Sequence, residues 1–126
     1  MTDTTGTVRI AIPSDAPGGL TATRSGHFGR CACFTIVDVV DDKVAQVGVL
    51  DNAPHVDGGC MSPVMSLAQN RVDAVVVDGI GGRPLAGFNQ VGIAVHRGSG
   101  ADVSSTVSAY LAGDLPIMSF DGACQH

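Results

Sequence analysis

The sequence predicts a three-layer α/β domain: one mixed five-stranded sheet with helices on both faces. Three observations carry that expectation. The first half of the chain reads as β-branched, alternating runs joined by turns, and the second half interleaves short apolar runs with helix-period stretches. One run, Ala74 to Val77, is apolar throughout, as in a parallel strand buried on both faces. The resulting order is β-β-β-α-β-α-β-α, a meander followed by crossover units in which the first, fourth and fifth strands run parallel.

Val8 to Ile12 alternates as the first strand, and Pro13-Ser-Asp-Ala-Pro-Gly-Gly19 ends it in turn residues. The loop continues through Ser25-Gly-His-Phe-Gly-Arg-Cys31, after which Phe34 to Val40 is rich in β-branched residues. Asp41-Asp-Lys43 turns the chain into Val44 to Leu50, so these two strands form an antiparallel hairpin. A first helix is expected around Pro63, with Ser62 as its cap and Val64, Leu67, Ala68 and Val72 at helical spacing. The apolar run 74–77 is the central strand. A short second helix follows, with Pro84 at its start and Leu85 and Phe88 on one face. Gly92 to His96 returns as the fifth strand, and Asp102 caps a last helix carrying Val103, Val107, Tyr110 and Leu111, ended by Gly113. The tail from Leu115 has no period. The expected core includes Ile10, Ile12, Ile36, Val75, Val77, Ile93 and Val95.

At 126 residues, with 44% hydrophobic against 15% charged residues, the chain makes one domain with a proper core. A net charge of −5 and a single lysine, Lys43, argue against a nucleic-acid partner, which requires a dense basic face. No apolar run reaches membrane-spanning length and the first residues lack a signal-peptide pattern, so a cytoplasmic protein without a membrane partner is expected. In that setting the four cysteines are expected as reduced thiols. Cys31 and Cys33, two apart, would share a face if both lie in a strand and could then bind a metal together.

The stretch Asn52-Ala-Pro-His-Val-Asp-Gly-Gly-Cys60 is the strongest functional candidate, because it brings an imidazole, a carboxylate and a thiol within six residues. Gly58 and Gly59 allow a sharp bend, and Cys60 lies beside a helix start, where amide donors favour a thiolate or a bound anion. The plain alternative is a tight turn with a buried cysteine. Gly79-Ile-Gly-Gly82 is a second glycine-rich turn, but neither a dinucleotide fingerprint nor a Walker loop is present. No Cys-x-x-Cys pair and no Gly-x-Ser-x-Gly elbow occurs, which weighs against a closed structural zinc site and a serine hydrolase. What remains is a pool of imidazoles and thiols, suited to copper, iron and sulfide clusters rather than magnesium or calcium.

The segments Gly26-His-Phe-Gly-Arg-Cys31, Gly58-Gly-Cys60, Asp73-Ala-Val-Val-Val-Asp-Gly-Ile-Gly-Gly-Arg83, Phe88-Asn-Gln-Val-Gly-Ile-Ala-Val95 and Cys124-Gln-His126 together resemble the dinitrogenase iron–molybdenum cofactor biosynthesis family, which includes NifX and the C-terminal domain of NifB. The resemblance runs from Val8 to His126. It implies a ribonuclease-H-like three-layer α/β/α fold and a non-enzymatic carrier or scaffold for a molybdenum-containing metal–sulfide cluster, with iron or, as in the orange-protein branch of sulfate reducers, copper. Cofactor-assembly or acceptor proteins are the implied partners.

Because sulfide clusters of molybdenum are anionic, helix-start amides, arginines and soft ligands at a loop rim suit them. The expected metal ligands are His55 and Cys60, then His27 and Cys31. Ser14, Asp15, Arg30, Gly58, Gly59, Gly79, Gly81, Gly82 and Arg83 are expected to complete the cofactor-binding rim. Two other functions compete: a thiol-dependent redox enzyme using Cys60 as nucleophile, and a regulatory or interaction domain without a cofactor. The lack of an identifiable base-and-orienter pair weighs against the enzyme.

Overall fold

The computed structural model describes residues 7–25, 31–41, 43–51, 61–78, 80, 82–98 and 101–118. In chain order the elements are β1 (Thr7–Ser14), β2 (Cys33–Val40), β3 (Lys43–Asp51), α1 (Met61–Gln69), β4 (Ala74–Val77), α2 (Gly82–Val91), β5 (Ala94–Arg97), α3 (Val103–Leu111) and β6 (Ile117–Met118). They build one sheet in the order β3-β2-β1-β4-β5-β6. β1, β4 and β5 are parallel, and β2 and β3 form the expected antiparallel meander on one side.

The sheet has six strands where five were expected. The additional β6 pairs antiparallel with β5 through Val95–Met118 and His96–Ile117. Two residues cannot display a period, and Ile117 is exposed, so the strand exists only because β5 offers an open edge. The helix starts also differ from expectation. α1 begins at Met61, so Ser62 lies inside the helix rather than capping it, and α2 begins at Gly82. Pro63 and Pro84 each take the third helical position, still within the first turn where a missing N–H removes no helix bond.

The alternation of strand residues divides the core in two. Ala11, Phe34, Val75, Val77 and Val95 point to one face, where Val64 and Leu67 of α1 and Leu85 and Phe88 of α2 cover them. Ile10, Ile12, Val37, Val39 and Val76 point to the other, where Val103 and Val107 of α3 pack. Of the seven expected core residues only Ile36 is half-buried; the other six are buried. Among the described residues no helix is long and apolar enough to cross a membrane.

α3 starts as its sequence dictates. Asp102 is extended and its carboxylate accepts a 2.8 Å bond from the Ser105 amide, an N-cap that satisfies one orphan donor. A hydrogen bond from the Ser105 side chain and, after it, that amide bond hold the Asp102 carboxyl below the usual carboxylate range. A depressed folded pKa means the cap stabilises above the unfolded pKa and the contribution is lost as pH falls through the folded one. Asp102→Asn, which can still accept the amide bond, is therefore expected to remove part of the acid-side loss of stability while changing little at neutral pH. Urea midpoints measured from neutral to acid pH check it; parallel curves for the two proteins would contradict the assignment.

Candidate functional site

The carboxyl ends of the parallel strands form one rim. Ser14 at the end of β1 pairs with Cys33, which pairs in turn with Asp51, so β3 leaves the sheet at the same end as β1. Asp51, the residue before the 52–60 stretch, thus stands at this rim. At β4 and β5 the chain departs in opposite directions, towards α2 on one face and α3 on the other. Diverging connections open a crevice at the strand ends, the usual place for a ligand in an open α/β sheet.

Asp78 and Gly98 are the first residues beyond β4 and β5. Arg24, from the loop after β1, reaches both. Its Nη1 donates to the Asp78 carboxylate at 2.5 Å, with the Arg24 side chain 9% exposed and that of Asp78 50%. The guanidinium lies directly on Gly98: a Cβ there would stand 2.5 Å from Nη1 and 2.9 Å from Cζ. The sequence did not single out Arg24 for this role. Its partner is 54 residues away and no local pattern announces the pair.

The loop carrying Arg24 is tied down along its length. Arg24 N–H donates to the Ala101 carbonyl at 2.9 Å and Ser25 N–H to the Pro13 carbonyl at 2.8 Å. The first amides of α3, Val103 and Ser104, donate to Ala22 and Leu20 at 3.0 and 2.9 Å, so this helix start serves the loop. Gly18, at φ +80°, packs where a Cβ would meet Val49 at 2.9 Å and the Cys33 sulfur at 3.0 Å, which fits glycine alone.

Beneath the loop runs a chain of buried hydrogen bonds. Ser14 Oγ donates to the Ile12 carbonyl at 2.7 Å, which uses its one proton, so Thr35 Oγ1 donates to Ser14 Oγ at 2.8 Å. Thr35 Oγ1 in turn accepts from Gly19 N–H at 3.0 Å. Ser14, expected on the rim as a ligand contact, is fully buried with its hydroxyl engaged in this way. Asp15 beside it is exposed.

Cys31 and Cys33 do not share a face as a strand pair would. β2 begins at Cys33, so the two-residue period does not extend back to Cys31. Cys31 is 6% exposed and packs in the core beneath α1 and α2. Cys33 faces the loop after β1, its sulfur 3.8 Å from the carbonyls of Ser14 and Asp15. They are not disulfide-bonded to each other. Gly82 is the exposed first residue of α2, with Arg83 next to it in the helix. His27, Arg30, His55, Gly58, Gly59, Cys60, Gly79 and Gly81 lie outside the described residues, as do Cys124 and His126. Among the described residues no three His, Cys, Asp or Glu side chains cluster as a metal site.

His96, part of the ligand pool, serves the fold. Its Nδ1 lies 3.0 Å from the Leu115 carbonyl, and its ring meets Tyr110 edge-on at 5.1 Å. A cavity of about 480 Å³ lies at the opposite end of the sheet, lined by Thr7, Arg9, Asp38, Gln46, Arg71 and Asp73 among others. Arg9 there binds Asp38 at 2.8 Å and the Asn70 carbonyl at 2.8 Å, and the Asp38 bond raises its pKa above the ordinary arginine value.

The model of the dinitrogenase iron-molybdenum cofactor family matches residues 7–113. Among solved structures, the chain is similar to PH0822, with 31% identity and a TM-score of 0.74 over 88% of this chain and 96% of that one. It is also similar to the apo form of the orange protein from Desulfovibrio gigas, with 25% identity and a TM-score of 0.75 over 87% and 92% of the two chains. The MJ0580 protein of Methanocaldococcus jannaschii is 26% identical over 110 residues, 86% of this chain and 89% of its own.

Proposed function

Because the chain belongs to the dinitrogenase iron-molybdenum cofactor family, we propose that it binds and carries an anionic metal–sulfur cluster as cargo, without catalysing a reaction. The cluster contains molybdenum with iron or copper, and the protein passes it between cofactor-assembly and acceptor proteins in the cytoplasm. The observation that carries this reading is the joint one of family membership and a rim at the strand ends that holds a shielded guanidinium. The strand order β3-β2-β1-β4-β5 supports describing the fold as ribonuclease-H-like, with β6 added at the far edge.

In this proposal His55, Cys60 and His27 supply soft ligands. Arg30, Arg83 and the amides of Gly58, Gly59, Gly79, Gly81 and Gly82 supply hydrogen bonds and counter-charge to sulfide. Cys31 ranks behind them, since a thiol packed among Phe34 and Val64 would have to leave the core to reach a metal. Ser14 acts from below, through the hydroxyl chain that fixes the loop, and Asp15 marks the outer edge.

The test is uptake of tetrathiomolybdate with cuprous or ferrous ion by protein purified without oxygen, followed by bound metal and the visible absorption band. Replacing His55 and Cys60 together by alanine is expected to lower uptake by about tenfold or more. Full uptake by the double variant with loss on His27→Ala would move the site to the other loop. Wild-type protein that stays colourless and metal-free would remove the carrier function and leave a cofactor-free interaction domain.

A further inference from the structure

Arg24 is the group on which the described rim converges, and the ligand set above does not use it. Three strand ends define its position: its own loop leaves β1, its carboxylate partner follows β4, and the glycine beneath it follows β5. This is the crevice where the connections to α2 and α3 diverge. A guanidinium stays charged at any physiological pH, and a shielded one is costly to leave without counter-charge. Asp78 provides that counter-charge from the solvent side, with half its side chain exposed. It can therefore turn into water at small cost once another anion takes its place on the guanidinium, because half of its side chain is already hydrated.

We propose that Arg24 and Asp78 form the anion-selecting element of the cargo site. Arg24 supplies the positive charge against which a thiometallate anion settles; Asp78 holds the guanidinium in the absence of cargo and competes with it when it arrives. This rests on the reading of the chain as a carrier of an anionic cluster, and it adds to that reading the residue pair that selects for the charge. A dianion of sulfide and molybdenum outcompetes a single carboxylate for the planar donor fork, whereas an uncharged metal species gains nothing from displacing Asp78. Gly98 is required because any side chain there would push the guanidinium off its seat.

Binding of tetrathiomolybdate alone to the full chain, without oxygen and at low ionic strength, tests the proposal through the shift of the ligand's visible absorption. Asp78→Asn keeps the size of a half-exposed side chain and removes the competitor, so it is expected to tighten binding by about threefold or more. Arg24→Gln is expected to weaken it by about tenfold or more, with Arg24→Lys in between because it keeps the charge and loses the fork. Gly98→Ala retains both charges while displacing the guanidinium, and is expected to weaken binding even if Arg24→Gln does not fold. Added salt should compress all these differences. A purely structural Arg24–Asp78 pair makes the opposite forecast for one variant: Asp78→Asn would then bind more weakly or unchanged, and that result overturns the proposal. Wild-type protein that binds while Arg24→Gln and Gly98→Ala bind equally well also overturns it and leaves the carrier function standing. Wild-type protein that fails to bind overturns both.

Discussion

Replacing Phe88 by alanine is expected to destabilise the protein by about 3–5 kcal/mol, the cost of emptying a fully packed aromatic site. Phe88 is 0% exposed and sits in the core beneath α1 and α2 with Leu85, Leu67, Val75 and Val95. α2 is only ten residues long, too short to be helical by itself, so its stability comes from the face it buries. Phe88 and Leu85, three residues apart, are the fully buried large side chains of that face. A folded chain of this size is stable by roughly 5–15 kcal/mol in total, so the loss removes a large share of it. Urea unfolding followed by far-ultraviolet circular dichroism measures it, with Val91→Ala on the exposed side of the same helix as the control. A loss below about 1 kcal/mol at Phe88 would mean that α2 is not seated on the sheet as described.

The second large effect is expected at Thr35, where valine keeps the shape and removes the hydroxyl. Thr35→Val breaks the chain from Gly19 N–H through Thr35 Oγ1 and Ser14 Oγ to the Ile12 carbonyl. It leaves one amide without its acceptor and one buried hydroxyl without its donor. The expected cost is about 2 kcal/mol, set by desolvation of the stranded groups rather than by the strength of any one bond. Thr35→Ser restores the hydroxyl and should recover most of it, which a packing effect would not allow. Hydrogen exchange at Gly19 reports the local change, since that amide bonds to Thr35 directly. Equal stability of the valine and threonine proteins would show that the hydroxyl chain is not formed. Since the same loop carries Arg24, Thr35→Val is also expected to weaken tetrathiomolybdate binding from a position that contacts no cargo.

The amino-acid sequence by itself determined the elements whose signals are local. The all-apolar run Ala74 to Val77 announced a strand covered on both faces, and Asp102 ahead of Val103 and Val107 announced a capped helix with one apolar stripe; both stand in the structure as read. The parallel placement of β1, β4 and β5 followed from the same order of elements. These features depend on residues within a turn or two of one another, where periodicity and capping chemistry act. Tertiary structure alone decided the rest. β6 forms because β5 leaves an edge to pair with, and the two-residue period fails at Cys31 because the strand starts at Cys33. Ser14 meets Thr35 across 21 positions and Arg24 meets Asp78 across 54. A side chain's own identity states that it can carry charge or donate a proton, but its partner is chosen by which strand ends the sheet brings together. That choice is a property of the folded chain, because the energy of a shielded guanidinium or a buried hydroxyl depends on groups that no local pattern contains.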